Sequence, residues 1–336
     1  MSSSRGFAMS VLVTGGAGYI GSHTVIDLLD AGEKIIVLDD LSTGFEWAVH
    51  ESATLYTGDI ADAALVARLI NEHDIETVIH FAGSIVVPES VAEPLKYYLN
   101  NTVKTRTLIE SCVTGGVRQF IFSSTAAVYG MPAHSPVDEN AALNPMSPYG
   151  RSKLMSEWML GDVAAAHGLK FAALRYFNVA GADPKGRVGQ STANATHLLK
   201  AACETALGQR PYIEVYGDDY PTPDGTCLRD YIHVADLAAA HTAALHYLRA
   251  GGANIVANCG YGHGYSVREV LNAVEQVAGH RMDIRQAPRR PGDPAAIIAD
   301  PARIKGTLDW QPRFDDLDII VAHALAWERR LLERNR

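Results

Sequence analysis

The sequence predicts an α/β chain built on a doubly wound parallel sheet, and three observations carry that prediction. Short apolar, β-branched runs alternate with helical patterns from residue 10 to about residue 178, mostly across short connections, which implies parallel strands joined by right-handed crossovers. Gly15, Gly18 and Gly21 follow the first run and open the first helical pattern. Asp39 closes the second run, 18 residues past Gly21.

Residues 10–14, SVLVT, read as a strand that ends in glycine, and Ile20, Val25, Ile26, Leu28 and Leu29 then recur at helical spacing. Residues 34–38 and 54–56 are the next strands, 61–72 a helix and 77–80 a strand. A helix over about 94–113 leads to a strand at 119–123, and a helix over 147–167 leads to a strand at 170–175. Beyond Asn178 the texture changes to longer Gly- and Pro-containing loops, such as 181–186 and 217–225. A domain transition is therefore expected near residue 178. It leaves a first domain over 9–178 and a smaller, less regular α/β domain over 179–336, with the helix and strand of 232–257 placed to rejoin the first sheet.

The 336 residues allow one large domain or two, and with 47% hydrophobic and 20% charged residues the chain can bury a core. The balance of 29 basic against 38 acidic residues gives a formal charge of −9, which argues against general affinity for nucleic acid or an anionic membrane. An anionic ligand therefore needs a local basic pocket. Cys112, Cys203, Cys227 and Cys259 are separated by 91, 24 and 32 positions, a spacing that fits no disulfide framework or CxxC motif and reads as reduced, buried thiols of a cytoplasmic protein. The 13 histidines form no close metal-ligand set, so no metal is expected. Residues 1–9 lack an apolar targeting core and read as a floppy leader. The most apolar long stretch, 232–250, contains His233, Asp236, His241, His246 and Arg249, which speaks against a membrane span.

The glycine turn lets a pyrophosphate approach backbone N–H groups at the positive end of a helix. A carboxylate at Asp39 suits an adenosine ribose, and Asp39 with Asp40 repels a 2′-phosphate, while no arginine follows until Arg68. The first domain is thus expected to be of the Rossmann type and to bind NAD in preference to NADP. In SPYGRSK, residues 147–153, Ser147 is a helix N-cap and Pro148 the first helical residue. Tyr149 and Lys153 then lie on one face, about 6 Å apart along the axis. A phenol of pKa ~10 is a poor base at neutral pH, and lowering it by ~3 units takes ~4 kcal/mol, more than a helix end supplies. Lys153 and a nicotinium charge are expected to provide most of it.

TGGAGYIGSH at 14–23, SPYGRSK, and FSSTAAVYG at 122–130 resemble the extended short-chain dehydrogenase/reductase superfamily. LRYFN at 174–178 and DYPTPDGTCLRDYIHV at 219–234 are similar to the family of UDP-glucose 4-epimerases within it. The resemblance runs from about residue 9 to 330. It implies that Tyr149 takes the proton of a sugar 4-hydroxyl while C4 gives hydride to bound NAD, and that a rotated 4-keto sugar receives the hydride on its other face. Thr125 takes the family's Ser/Thr position on O4, with Ser124 the weaker candidate. Dehydratases of the superfamily follow this Thr with Asp-Glu, whereas Thr125 is followed by Ala126 and Ala127, which cannot transfer protons.

The resemblance further implies cofactor contacts at Gly15, Gly18, Tyr19, Ile20 and Gly21, at Asp39, at Asp59 and Ile60 beside adenine, at Phe81, Ala82, Gly83 and Asn100, and at Lys153 and Phe177. On the substrate side it implies Tyr176 beside the sugar, Asn178, Arg229 and Arg290 as the diphosphate clamp, and Asp293 on the uridine ribose. Tyr216 is expected on uracil, His197 and Leu198 near the ligand, and Ile297 at the far edge of the sugar. Two departures stand out: Ile85, where some members carry Lys, and Ile297, where some carry Tyr. A homodimer is expected from the family, through helices 94–113 (Tyr97, Tyr98, Leu99, Val103, Leu108) and 147–167 (Leu154, Trp158, Met159, Val163). Two alternatives remain open: C4 epimerisation of UDP-N-acetylglucosamine or UDP-glucuronate, and a catalytically silent NAD or nucleotide sensor, for which a proton-transfer set has no use.

Overall fold

A computed structural model describes residues 9–193, 195–290 and 292–334. Its first half runs β1 (Ser10–Thr14), α1 (Tyr19–Asp30), β2 (Lys34–Asp39), β3 (Thr54–Thr57), α2 (Ala63–His73), β4 (Ile75–His80), α3 (Val87–Ala92), α4 (Pro94–Tyr97), a π-helical turn (Tyr98–Val103), α5 (Lys104–Thr114), β5 (Gln119–Thr125), α6 (Pro148–His167) and β6 (Lys170–Tyr176). The second runs β7 (Asn178–Ala180), α7 (Leu198–Ala206), β8 (Ile213–Tyr216), β9 (Leu228–Arg229), β10 (Tyr231–His233), α8 (Val234–Arg249), β11 (Ile255–Cys259), β12 (Tyr265–Ser266), α9 (Val267–Ala278), β13 (Ile284–Ala287), β14 (Ala296–Ile297), α10 (Ala302–Thr307) and α11 (Leu317–Arg334).

Seven parallel strands form the central sheet in the order β11-β6-β5-β4-β1-β2-β3. Both faces are covered, which is why the strands are apolar at successive positions. Val11 and Val13 face a cluster with Val25, Leu28 and Leu245, whereas Leu12 between them faces one with Leu69, Leu108 and Phe120. The strand order reverses between β1 and β4, so the carboxyl ends of those strands flank a crevice suited to a ligand. Strand β11 pairs with β6 along Ile255–Cys259, and the first cluster continues through Leu199, Val270 and Leu325 of α7, α9 and α11. One apolar core therefore runs through both halves of the chain.

Local chemistry sets the ends of the helices. Ser147 accepts the Gly150 N–H at 3.2 Å, Pro148 opens α6, and Gly168, in the left-handed region at φ 74°, closes it. Asp62 caps α2 through the Leu65 N–H, and Ser266 and Glu269 form a capping box on α9.

The helix expected over 94–113 is divided. It opens as the four-residue α4, and a further six-residue helix, α3, precedes it; Pro88 and Pro94 both sit in the first turn of a helix, where proline is tolerated. The π-turn then carries Asn100 and Asn101, whose side chains are held by Ser84 and Ser152. All four cysteines are free and buried, and among the described residues no helix is long and apolar enough to cross a membrane.

Candidate active site

The glycine turn fits a dinucleotide for steric reasons. Gly15 has φ +71° and a Cβ there would lie 2.5 Å from the Ala82 nitrogen, while a Cβ on Gly21 would lie 2.1 Å from the Gly15 carbonyl. Gly18 caps α1 without a side-chain partner, so no capping side chain occupies the first-turn N–H groups of Tyr19 and Ile20, a helix end suited to an anion. Tyr19 contributes backbone only, since its hydroxyl donates to the Gly181 carbonyl at 2.7 Å.

Asp39 accepts the N–H groups of Ala17 and Leu41, both at 2.9 Å, so the carboxylate ties the turn to the end of β2. Burial raises its pKa, and the two N–H donors oppose that. At the end of β3, Asp59 is ion-paired with Lys104 at 2.6 Å, which keeps its carboxyl below the usual range although burial pulls the other way, and Ile60 is buried beside it. Phe81 and Ala82 both donate to the Thr14 carbonyl, which holds the end of β4 against the turn, and a Cβ on Gly83 would lie 2.8 Å from Asn101 Oδ1.

Across the crevice, Thr125 ends β5, where its side chain accepts the Ala127 N–H at 3.1 Å and lies close enough to the Tyr149 phenol to lower its pKa. Tyr149 is half-buried in the first turn of α6 and meets Tyr97 edge-on at 6.4 Å between ring centroids. Lys153, one turn on and buried, donates to the Ser123 carbonyl at 2.9 Å and lies 4.9 Å from the Phe122 ring centroid. Burial lowers its pKa to about 8. Burial also raises the Tyr149 phenol, and the Thr125 hydroxyl opposes it. The sequence assigns the lowering of the phenol to Lys153 together with a nicotinium charge; here one of the three Lys153 donors is taken by the Ser123 carbonyl.

Ser124 is committed elsewhere, donating to the Glu157 carboxylate. Tyr176, expected beside the sugar, is turned into the core, where its hydroxyl pairs with His241 beneath Phe81. It supports the site from behind. Phe177 instead joins a small cluster with Val128, Leu154 and Ile297. Ile297 is only 8% exposed, so it forms part of this wall and not an open edge.

The nucleotide side is partly assembled. Asn178 donates its N–H to the Asp230 carbonyl, which sets β7 beside the segment that carries Arg229. Arg229 is held by the Leu228 and Pro294 carbonyls and lies 3.7 Å from Asp293. Arg290 stacks 3.7 Å from the Tyr216 ring centroid, so these two groups meet although 74 positions separate them in the sequence. The neighbouring Arg289 pairs with Asp219 and covers the Tyr220 ring at 4.1 Å.

His197 and Leu198, expected near the ligand, mark the start of α7. His197 lines a cavity with Tyr19, Gly181 and Trp327 whose walls include none of Thr125, Tyr149 or Lys153, and Leu198 packs on the core. The exposed Ile85 follows Ser84 in the Asn100–Asn101 pocket. Sequence reasoning missed Asn101, Ser152, Glu157 and Arg175. Glu157 had a signal, since it stands four residues past Lys153 on the same helix face.

A glycine turn for a dinucleotide beside a Thr-Tyr-Lys group is matched by what the chain resembles. Residues 11–260 match the NAD dependent epimerase/dehydratase family. A UDP-glucose 4-epimerase of Azospirillum brasilense is 55% identical over 321 residues, spanning 96% of this chain and 92% of that protein. The crystal structure of UDP-glucose 4-epimerase from Brucella ovis in complex with NAD superposes with a TM-score of 0.93 at 45% identity, covering 95% of this chain and 98% of that one. The enzyme of Bifidobacterium longum in complex with NAD+ and UDP does so with a TM-score of 0.91 at 40% identity, covering 96% and 98%. With a family match over residues 11–260 and relatives alike over nearly its whole length, the chain belongs to the NAD dependent epimerase/dehydratase family.

Proposed function

We propose that this protein inverts C4 of a UDP-hexose, interconverting UDP-glucose and UDP-galactose by transient oxidation to a 4-keto sugar. The observation that carries the reading is the meeting of Thr125, at the end of β5, with Tyr149 in the first turn of α6, with buried Lys153 one helical turn on and the proton-inert Ala126 and Ala127 after Thr125. That set handles the proton of one hydroxyl and offers no second acid or base for elimination. Relatives named UDP-glucose 4-epimerase at up to 55% identity support it.

Tyr149 is the proton acceptor of the reading and Thr125 orients the sugar O4 on it. The Lys153 ammonium has three donors, of which the Ser123 carbonyl takes one, leaving the others for the phenol side and a ribose. The turn at Gly15–Gly21, with Asp39, Asp59, Ile60, Phe81, Ala82, Gly83, Asn100 and Phe177, holds NAD. Bound NAD supplies the acceptor, and later the donor, for the hydrogen on C4. Arg229, Arg290 and Asn178 hold the diphosphate, Tyr216 and Asp293 the uridine. The guanidinium forks supply the local positive charge that a chain of net charge −9 otherwise lacks.

The chain is also proposed to work as a homodimer in the cytoplasm. Val91, Leu95, Leu99 and Val103 recur every four residues across α3, α4 and the π-turn, all exposed, with exposed Trp158 on neighbouring α6. The four buried free thiols suit a reducing compartment.

The test is incubation of the purified protein with UDP-galactose and no added cofactor, followed by separation of the UDP-hexoses. Conversion to UDP-glucose, restored to stripped protein by NAD and not by NADP, is expected. No conversion with either dinucleotide overturns the reading.

A further inference from the structure

Directly behind the Thr125–Tyr149–Lys153 group lies a buried ion pair that the chemistry above does not use. Arg175, near the end of β6, donates Nε to Glu157 Oε1 at 3.0 Å and Nη2 to Oε2 at 2.6 Å, and both side chains are buried. Its third arm, Nη1, donates to the Tyr129 hydroxyl at 2.9 Å, which donates in turn to Asn258 Oδ1 at 2.7 Å on β11. The Ser124 hydroxyl completes the carboxylate's set. Glu157 thus joins three elements at one point: α6, which carries Tyr149 and Lys153 on the same face eight and four residues earlier; β5, where Ser124 precedes Thr125; and β6.

A buried ion pair of this kind is weak evidence of added stability, because apolar residues of similar volume commonly do as well or better. What it fixes is geometry, since a bidentate fork permits one register between its partners. It is also neutral as a pair, whereas either member alone would project a charge through low-dielectric protein onto a phenol two helical turns away.

We propose that Glu157 and Arg175 are positioning residues of the active site: their fork sets the register of α6 on β5 and β6, so that Tyr149 meets Thr125, and their mutual neutralisation leaves Lys153 as the uncompensated cation acting on Tyr149. The other groups around the phenol do not substitute for this. Tyr97 faces it edge-on and is hydrogen-bonded to Glu89, which is itself paired with Lys96. Tyr176 is buried on His241. His80, which faces Lys153, sits between the Thr14 and Thr105 hydroxyls, held neutral by burial.

The inference rests on the C4-epimerase reading, and its test separates the two. Glu157→Gln keeps the shape and leaves the Arg175 charge unpaired, which favours the phenolate. The acidic limb of the kcat/KM–pH profile should then move to lower pH by roughly 0.5–1 unit while turnover at neutral pH falls roughly tenfold. An ultraviolet titration of the phenolate, taken as the difference from Tyr149→Phe, should move the same way. In the double variant E157Q/R175Q, which carries no unpaired charge, the limb should return to the parent's position.

An unmoved limb in E157Q, or a double variant no different from it, overturns the proposal. If E157Q does not fold, Arg175→Lys decides. It keeps the charge and loses the fork, so lowered turnover with the limb in place supports the proposal and parental turnover overturns it. A parent that does not interconvert the two UDP-hexoses defeats the C4 reading; an active parent whose variants show any of the overturning results defeats only the positioning role.

Discussion

Ser124 and Thr125 are adjacent hydroxyls on one strand, and the pleat sends them to opposite sides. Ser124 goes inward to Glu157, and Thr125 outward to Tyr149. The motif puts Thr125 at the strand's end, but the sequence does not show what Ser124 does, since Glu157 arrives from a helix 33 positions away. Tyr149 and Lys153 were legible as a pair because helical spacing alone puts them on one face. Tyr176 was misplaced because a motif gives order along the chain and not which way a strand residue faces. Replacing Tyr149 by Phe removes the one hydroxyl that handles the proton and leaves its aromatic contact with Tyr97. Turnover should fall by about two to four orders of magnitude with NAD still bound after gel filtration. Activity within threefold of the parent would show that another group is the base.

At the scale of elements, the strands of the central sheet were legible, because those covered on both faces are continuous apolar runs, while the part-exposed edge strand β3 was marked by its short β-branched and aromatic run. The helices between β4 and β5 were less so. Their breaks arise where the chain is pinned by Ser84 and Ser152 to Asn100 and Asn101, contacts made across the fold. The interface expected from these helices divides in the same way. Tyr97, Leu108 and Leu154 are buried within the monomer, whereas Leu99, Val103 and Trp158 are exposed, and Val91 and Leu95 extend the stripe. Leu95, at 81% exposure, contributes almost nothing to the isolated chain. Charging it in Leu95→Glu, or Trp158→Glu beside it, should therefore leave monomer stability within about 0.5 kcal/mol while splitting the dimer. Light scattering at micromolar concentration reads the outcome: a parent of twice the chain mass and variants of one chain mass. A monomeric parent refutes the dimer.

For the molecule as a whole, the tally of charges in the sequence hides a set of groups that the fold withholds from water. His23, His80, His233 and His241 are all buried, and burial lowers their pKa values to about 4, 3, 3 and 4. Nothing in the spacing of the histidines marks these four, because their burial is set by packing between α1, β4, α8 and their neighbours. In the unfolded chain each reverts to a pKa of about 6.5. The folded-state values are depressed, so between about pH 6.5 and pH 4 the unfolded chain binds protons that the folded one does not, and stability falls as pH falls. Each such group removes up to about 1.4 kcal/mol per pH unit, and the four together about 5 kcal/mol per unit near pH 5. Urea midpoints measured at one protein concentration should be nearly flat above about pH 7 and drop steeply from about pH 6 to pH 5. His80→Gln keeps a polar side chain between Thr14 and Thr105 without the titration and should flatten that slope by about a quarter. Equal midpoints at about pH 7.5 and pH 5 would mean that the four rings titrate alike in the folded and unfolded protein, and that burial is not what governs them.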